Sequence, residues 1–245
     1  MCVPTCAAGE TRCGTSLTCS NTSNDRNNCG ACGNVCAAGL TCLGGMCTRT
    51  AYPGYTVAPS SAAFINACTQ AGVRTVLPNA DDQAMAVTVP FPFILWDYLG
   101  TDAWVSSNGV FGGGTTLNST LGSSCPPTGG PRNAVLAFLD DTYTRTGICV
   151  ATVGFAPNRQ FVATWNDIHY CCTDDPTVHL TYSVILTEGT NTVDVIYQTM
   201  MDTGTRASGD SAAVAITNGD ATRSAVYSCD MPLIMGGTAI RFTPM

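Results

Sequence analysis

From Arg74 onward, short apolar stretches alternate with clusters of Gly, Pro, Asn, Asp and Ser, a period-two pattern that predicts strands. The expected strands are Arg74 to Leu77, Ala86 to Trp96, Ala103 to Phe111, Ala134 to Leu139, Cys149 to Phe155, Gln160 to Ile168, Val178 to Leu186, Thr192 to Thr199, Ala212 to Thr217, Ser224 to Ser228 and Thr238 to Thr243. The alternation is clearest in His179-Leu180-Thr181-Tyr182-Ser183-Val184 and in Thr192-Val193-Asp194-Val195-Ile196-Tyr197. Glu188-Gly189-Thr190-Asn191 supplies the hairpin turn between them. Eleven short strands predict an all-β fold, an antiparallel β-sandwich. Only Ser60 to Ala71 reads as a short helix, with Ser60 or Ser61 as its cap and Phe64 and Cys68 one turn apart.

The first fifty residues have a different pattern. They contain Cys2, Cys6, Cys13, Cys19, Cys29, Cys32, Cys36, Cys42 and Cys47, against only Cys68, Cys125, Cys149, Cys171, Cys172 and Cys229 in the rest. Two domains follow, residues 1–50 and 51–245. Cys2-x3-Cys6-Ala7-Ala8-Gly9 returns thirty residues later as Cys32-x3-Cys36-Ala37-Ala38-Gly39, an internal repeat. Cys2 reads as the middle of an earlier unit whose partner lay upstream, which accounts for the odd count of fifteen better than a reactive thiol does. No basic segment, apolar stretch or cleavage site of a secretory leader is present at Met1. With so few apolar residues, the small module must be held by disulfides. Cys29-Gly30-Ala31-Cys32 raises zinc and thiol redox chemistry as alternatives, but the module has no His and nothing helical follows the motif. The run Asn28-Cys29-Gly30-Ala31-Cys32-Gly33-Asn34-Val35-Cys36, with Cys42 and Cys47 after it, resembles the NCGxCGxxC repeat of bacterial surface proteins and of the stigma-specific family. That resemblance implies a spacer or stalk.

Composition narrows the function. Charged residues make up 11% of the chain, and all ten basic residues are Arg. The net charge is −7, and it belongs to the larger domain. Such a chain offers no basic field for phosphates, so no nucleic-acid partner is expected. No apolar run is long enough to span a bilayer, so no membrane span is expected either. Fifteen cysteines point to an oxidising compartment, outside the cell or at its surface. Without Lys, disulfides are also the available covalent staple, since Lys-dependent isopeptide crosslinks cannot form.

In the larger domain, Val89-Pro90-Phe91-Pro92-Phe93, Val105-Ser106-Ser107-Asn108-Gly109, Ala137-Phe138-Leu139-Asp140-Asp141, Ala156-Pro157-Asn158-Arg159-Gln160-Phe161-Val162 and Ala239-Ile240-Arg241-Phe242-Thr243-Pro244 occur in that order. Together these phrases resemble a nidogen-like extracellular domain. The resemblance implies a module of the kind found in adhesive matrix proteins and bacterial surface proteins.

The residues themselves carry few chemical motifs. His169 and His179 are the histidines through which a Ser-His-Asp or zinc-hydrolase scheme would have to run. His179 reads as a solvent-facing strand residue; His169, near a strand end, is easier to give a role. No nucleophile elbow, zinc-protease helix, phosphate loop or dinucleotide fingerprint occurs. Carboxylates pair at Asp81-Asp82, Asp140-Asp141 and Asp174-Asp175. Asp140 and Asp141, at the end of an apolar strand and before a polar loop, are the expected calcium ligands, with a solvated turn as the alternative for all three pairs. Cys171 and Cys172 are expected in two separate bridges rather than one ring, and Cys125 is expected with Cys229. Asn21-Thr22-Ser23 and Asn118-Ser119-Thr120 match the glycosylation sequon, but ordinary loop asparagine is the favoured reading of each. The expected function is a noncatalytic adhesion or interaction module that binds an extracellular protein or glycan. A self-assembling subunit pairing with copies of itself through weakly protected strand edges comes second. A hydrolase or sugar-binding domain using loop carboxylates and Trp104 or Trp165 comes third.

Overall fold

The computed structural model describes residues 6–14, 18–119, 125–171 and 175–245. They form two compact units, Met1–Thr50 and Ala51–Met245.

In the small unit, two hairpins are laced by disulfides. Thr11–Arg12 pairs with Cys19–Ser20, and Thr41–Leu43 with Met46–Thr48. Each hairpin follows a copy of the Cys-Ala-Ala-Gly segment, and each copy closes the same turn: the amide of Glu10 donates to the carbonyl of Ala7, and that of Leu40 to that of Ala37. The bridges are Cys6–Cys19, Cys13–Cys32, Cys29–Cys42 and Cys36–Cys47. The two cysteines of the CxxC motif therefore bond to different partners, and no thiolate remains there for zinc or for redox exchange. Cys2 lies outside the described residues.

The large unit is a sandwich of two antiparallel sheets. One has six strands, in the spatial order Ser224–Cys229, Ala213–Thr217, Ala134–Leu139, Val110–Gly113, Tyr98–Ser106 and Ala84–Leu95. The other has nine, running from Tyr55–Pro59 through Ala239–Pro244, Val193–Met201, His179–Thr187 and Gln160–Tyr170 to Thr142–Thr144 and Ala80–Asp81, with Ile148–Val153 and Arg74–Val76 branching from Gln160–Tyr170. The facing sides alternate as the sequence does. Phe91, Phe93, Val105, Phe111 and Val135 of the first sheet meet Phe161, Trp165, Tyr182, Val195 and Phe242 of the second in one core. Trp165 stacks on Tyr182 at a centroid distance of 5.3 Å. Each such buried side chain contributes roughly 2–3 kcal/mol. Where the strand expected from Ala103 to Phe111 would have continued, Ser107-Asn108-Gly109 turns the chain instead. Gly109 has φ +74°, and a Cβ there would lie 2.1 Å from the carbonyl oxygen of Phe138, so only glycine fits.

The helix expected from Ser60 to Ala71 does not form; a single 3-10 turn, Ala67–Thr69, replaces it. Tertiary bonds override the helical spacing. The Ala67 amide donates to Thr164 Oγ1, Ser183 Oγ donates to the carbonyl of Ile65, and Cys68 is bridged to Cys149. These contacts lay the segment across the outer face of the nine-stranded sheet.

The structure also joins Cys125 to Cys229. Together with Cys68–Cys149, this uses every described cysteine of the large unit except Cys171. Cys171 is itself disulfide-bonded. The expectation that Cys171 and Cys172 sit in two separate bridges turns on residues outside the described ones. Cys172 and Asp174 lie outside the described residues.

Candidate functional site

Strand pairing gathers the acidic pairs that sequence keeps sixty residues apart. Thr142–Thr144 leaves the six-stranded sheet just after Asp140 and Asp141 and pairs on one side with Tyr170 and His169, on the other with Asp81 and Ala80. Asp81 Oδ2 comes within 3.1 Å of Cys171 Sγ, and side-chain ligand atoms of Asp81, Asp141 and Cys171 all fall within 4.8 Å of one another. A disulfide-bonded sulfur carries no thiolate, so the oxygens are the chemistry here. Asp82, at φ +49°, accepts from Asn108 Nδ2 at 2.9 Å. Asn108 is held in turn by the Thr142 amide, which donates to its Oδ1, while Thr142 Oγ1 donates to the carbonyl of Ser107.

Asp140 is placed otherwise than expected. Both its oxygens are engaged by Arg206, at 2.8 and 3.0 Å, and Ser211 Oγ adds a third bond at 2.8 Å. The guanidinium lies 3.9 Å from the Tyr170 ring centroid. With 5% of its side chain exposed and its lone pairs occupied, Asp140 is a structural anchor for the turn Arg206–Ser208. As a calcium ligand it is corrected out of the pair. Asp141, next to it in the bend between Ala134–Leu139 and Thr142–Thr144, instead has its carboxylate beside Asp81.

Asp81 Oδ1 and Asp141 Oδ1 are buried, and neither accepts a hydrogen bond from the described residues. Burial raises the carboxyl pKa of both; the neighbouring Asp82 adds to the rise at Asp81, and Asp81 and Asp82 add to it at Asp141. Converging, unsatisfied carboxylate oxygens are the donor set that a hard cation such as calcium takes. Adjacency within the sequence hides this set, because it joins one residue from each of two pairs.

The remaining sequence candidates are separate. His169 is buried, edge-on to Tyr143 at 4.9 Å. His179 Nδ1 lies 2.6 Å from Asp167 Oδ1, an oxygen that Arg145 shares at 3.4 Å. A strand irregularity between Trp165 and Ile168 turns Asp167 out toward both. Trp104 and Trp165 are fully buried, so neither can stack on a sugar. In the two sequons, Asn21 Oδ1 accepts from the Ser23 amide; Asn118 lines a cavity, and Thr120 lies outside the described residues.

A family model described as NIDO related matches residues 54–243, almost the whole sandwich. The chain belongs to the NIDO-related family. Its nidogen-like domain thus includes Asp81, Asp82, Asp140 and Asp141 together with the first and last strands. No curated protein and no solved structure matches the chain. Among the described residues, no helix is long and apolar enough to cross a membrane.

Proposed function

We propose that this chain is a noncatalytic extracellular interaction module, in which the nidogen-like sandwich engages a protein or glycan partner and the disulfide-laced unit serves as a spacer. The family match over residues 54–243 is the observation that carries this reading. The six described bridges support it, since such a framework persists in an oxidising compartment. So does the use of both histidines in packing and ion pairing, with no Ser or Cys hydrogen-bonded to His179 among the described residues. Calcium, where it is bound, is held by Asp81 and Asp141.

Self-assembly through strand edges is the second reading, and one edge speaks against it. The outer edge of Ala84–Leu95 carries Pro90 and Pro92, and side chains cover its backbone. Arg159 donates to the carbonyl of Pro90, Arg74 donates to that of Ala86, and Asn191 Oδ1 accepts from the amide of Ile94. Exposed Met201, Met231, Leu233 and Met235 are the surface that favours it. Light scattering at several concentrations, with and without reductant, tests the two. A monomer throughout supports the interaction module; a stable oligomer overturns it in favour of an assembly subunit.

A further inference from the structure

The opposite end of the six-stranded sheet from the acidic cluster holds a cavity of about 540 Å³. It is lined by Tyr98 at the start of Tyr98–Ser106, by residues 113–118 and 129–133 on either side of the connection from Val110–Gly113 to Ala134–Leu139, and by Gly219 after Ala213–Thr217. Backbone bonds hold these loops to one another. The amide of Gly129 donates to the carbonyl of Ala221, that of Asn133 to that of Asn218, and that of Gly113 to that of Asn133. Asp97 Oδ1 accepts from the Gly219 amide at 2.8 Å. The cavity is therefore shaped before any ligand arrives.

Its lining has a definite chemistry. Tyr98 stands half-buried in the wall, its hydroxyl tied to the carbonyl of Asp102 at 2.7 Å, so the ring is fixed and its surface presented. Around it lie the hydroxyls of Thr115 and Thr116, the amides of Asn118 and Asn133, and the exposed cation of Arg132. Asn133 lines the wall, while its Oδ1 lies buried behind the surface and accepts no hydrogen bond from the described residues. Glycines 113, 114, 129, 130 and 219 leave the backbone bare. A wall of this kind suits a ligand with many hydroxyls and one flat, weakly polar C–H face: the hydroxyls meet amides and backbone, and the C–H face meets the electron-rich ring of Tyr98.

We propose that this cavity binds a saccharide, with one pyranose ring against Tyr98 and its hydroxyls on Thr116, Asn118 and Asn133. The inference rests on the extracellular reading above, because it places the domain among glycans. Arg132 favours sugars bearing a carboxylate.

The test is saturation-transfer NMR of the full chain against a panel of neutral and uronate-containing oligosaccharides at millimolar concentration. Gly130→Phe is the blocking variant. Gly130 lines the cavity, its φ is not in the left-handed region, and a Cβ there meets no atom within 4 Å, so the fold tolerates the ring while the cavity does not. The expected result is binding by at least one sugar, weakened at least tenfold by Gly130→Phe at an unchanged melting temperature. Arg132→Ala weakens uronates alone. Should Gly130→Phe lower the melting temperature, Thr116→Phe, at an exposed position, serves in its place. No binding by any sugar, or binding that both blocking variants leave intact, overturns the proposal. A chain that binds no sugar yet stays monomeric loses the cavity and keeps the interaction module. A chain that oligomerises loses that reading, while the NMR result still decides the cavity.

Discussion

Replacing Arg206 by Ala separates an anchoring role for Asp140 from a cation-binding one. The change removes two charge-assisted bonds, of 2.8 and 3.0 Å, and leaves a carboxylate of 5% exposure with Ser211 Oγ and the Asp141 amide. Breaking a fully buried pair costs about 3–5 kcal/mol and an exposed pair about 0–1. Arg206 is 36% exposed, which places this pair between the two limits. The stack on Tyr170 adds about 0.5–1 kcal/mol. A loss of about 2–3 kcal/mol follows, and for a domain of this size it lowers the melting temperature by roughly 5–10 °C. Scanning calorimetry at neutral pH with chelator measures it. Asp140→Asn in the Arg206→Ala background removes the stranded charge, so the double variant recovers part of the loss, with a coupling of about 1 kcal/mol or more. An Arg206→Ala midpoint within 1 °C of wild type by calorimetry, or a calcium response abolished by Asp140→Asn but untouched by Asp81→Asn, would refute the assignment.

Four further outcomes are expected. Calcium raises the melting temperature of the wild type, and Asp81→Asn or Asp141→Asn removes that response. In chelator, the raised carboxyl pKa values of Asp81 and Asp141 mean that stability falls as pH rises through them, and Asp141→Asn flattens that fall; a pH series of melting temperatures reads both. Gly109→Ala places a Cβ 2.1 Å from the carbonyl oxygen of Phe138 at φ +74°, so it costs more than about 3 kcal/mol or prevents soluble expression, as denaturant melts or yields will show. Hydrogen bonds from Arg159 lower the Glu188 pKa to about 2, so its contribution is complete above the ordinary glutamate range and disappears as pH falls through about 2; Glu188→Gln removes this part of the acid dependence in an acid titration followed by circular dichroism.

Strands buried on one face were legible because a period of two leaves an unambiguous trace. Val178 to Leu186 lies within two residues of its observed ends, and Ala134 to Leu139, buried on both faces, was legible instead as an unbroken apolar run between turn residues. Missing from that reading were Ala80–Asp81 and Thr142–Thr144, too short to show a period, and Tyr55–Pro59, whose partner is the last strand of the chain. These same short strands carry the acidic cluster. The pair Asp140-Asp141 could be noticed in sequence, but its division into one anchored and one cation-facing carboxylate depends on Arg206, sixty-six residues away. The helix expected over Ser60 to Ala71 failed for a similar reason, since its apolar spacing is real but Thr164, Ser183 and Cys149 claim the segment. Local pattern records which face is buried; it does not record which distant strand supplies the partner.

The pairing of Tyr55–Pro59 with Ala239–Pro244 has a mechanical consequence. Tyr55 stands opposite Pro244, and the Met245 amide donates to the carbonyl of Gly54, so the polypeptide enters and leaves the sandwich at one corner. Tension along a longer chain would therefore load this strand pair from a single end, opening its hydrogen bonds in succession like a zipper instead of shearing them all at once. A strand pair opened in this way breaks one hydrogen bond at a time, so the first strand is the part of the sandwich that a pull on its ends would detach first.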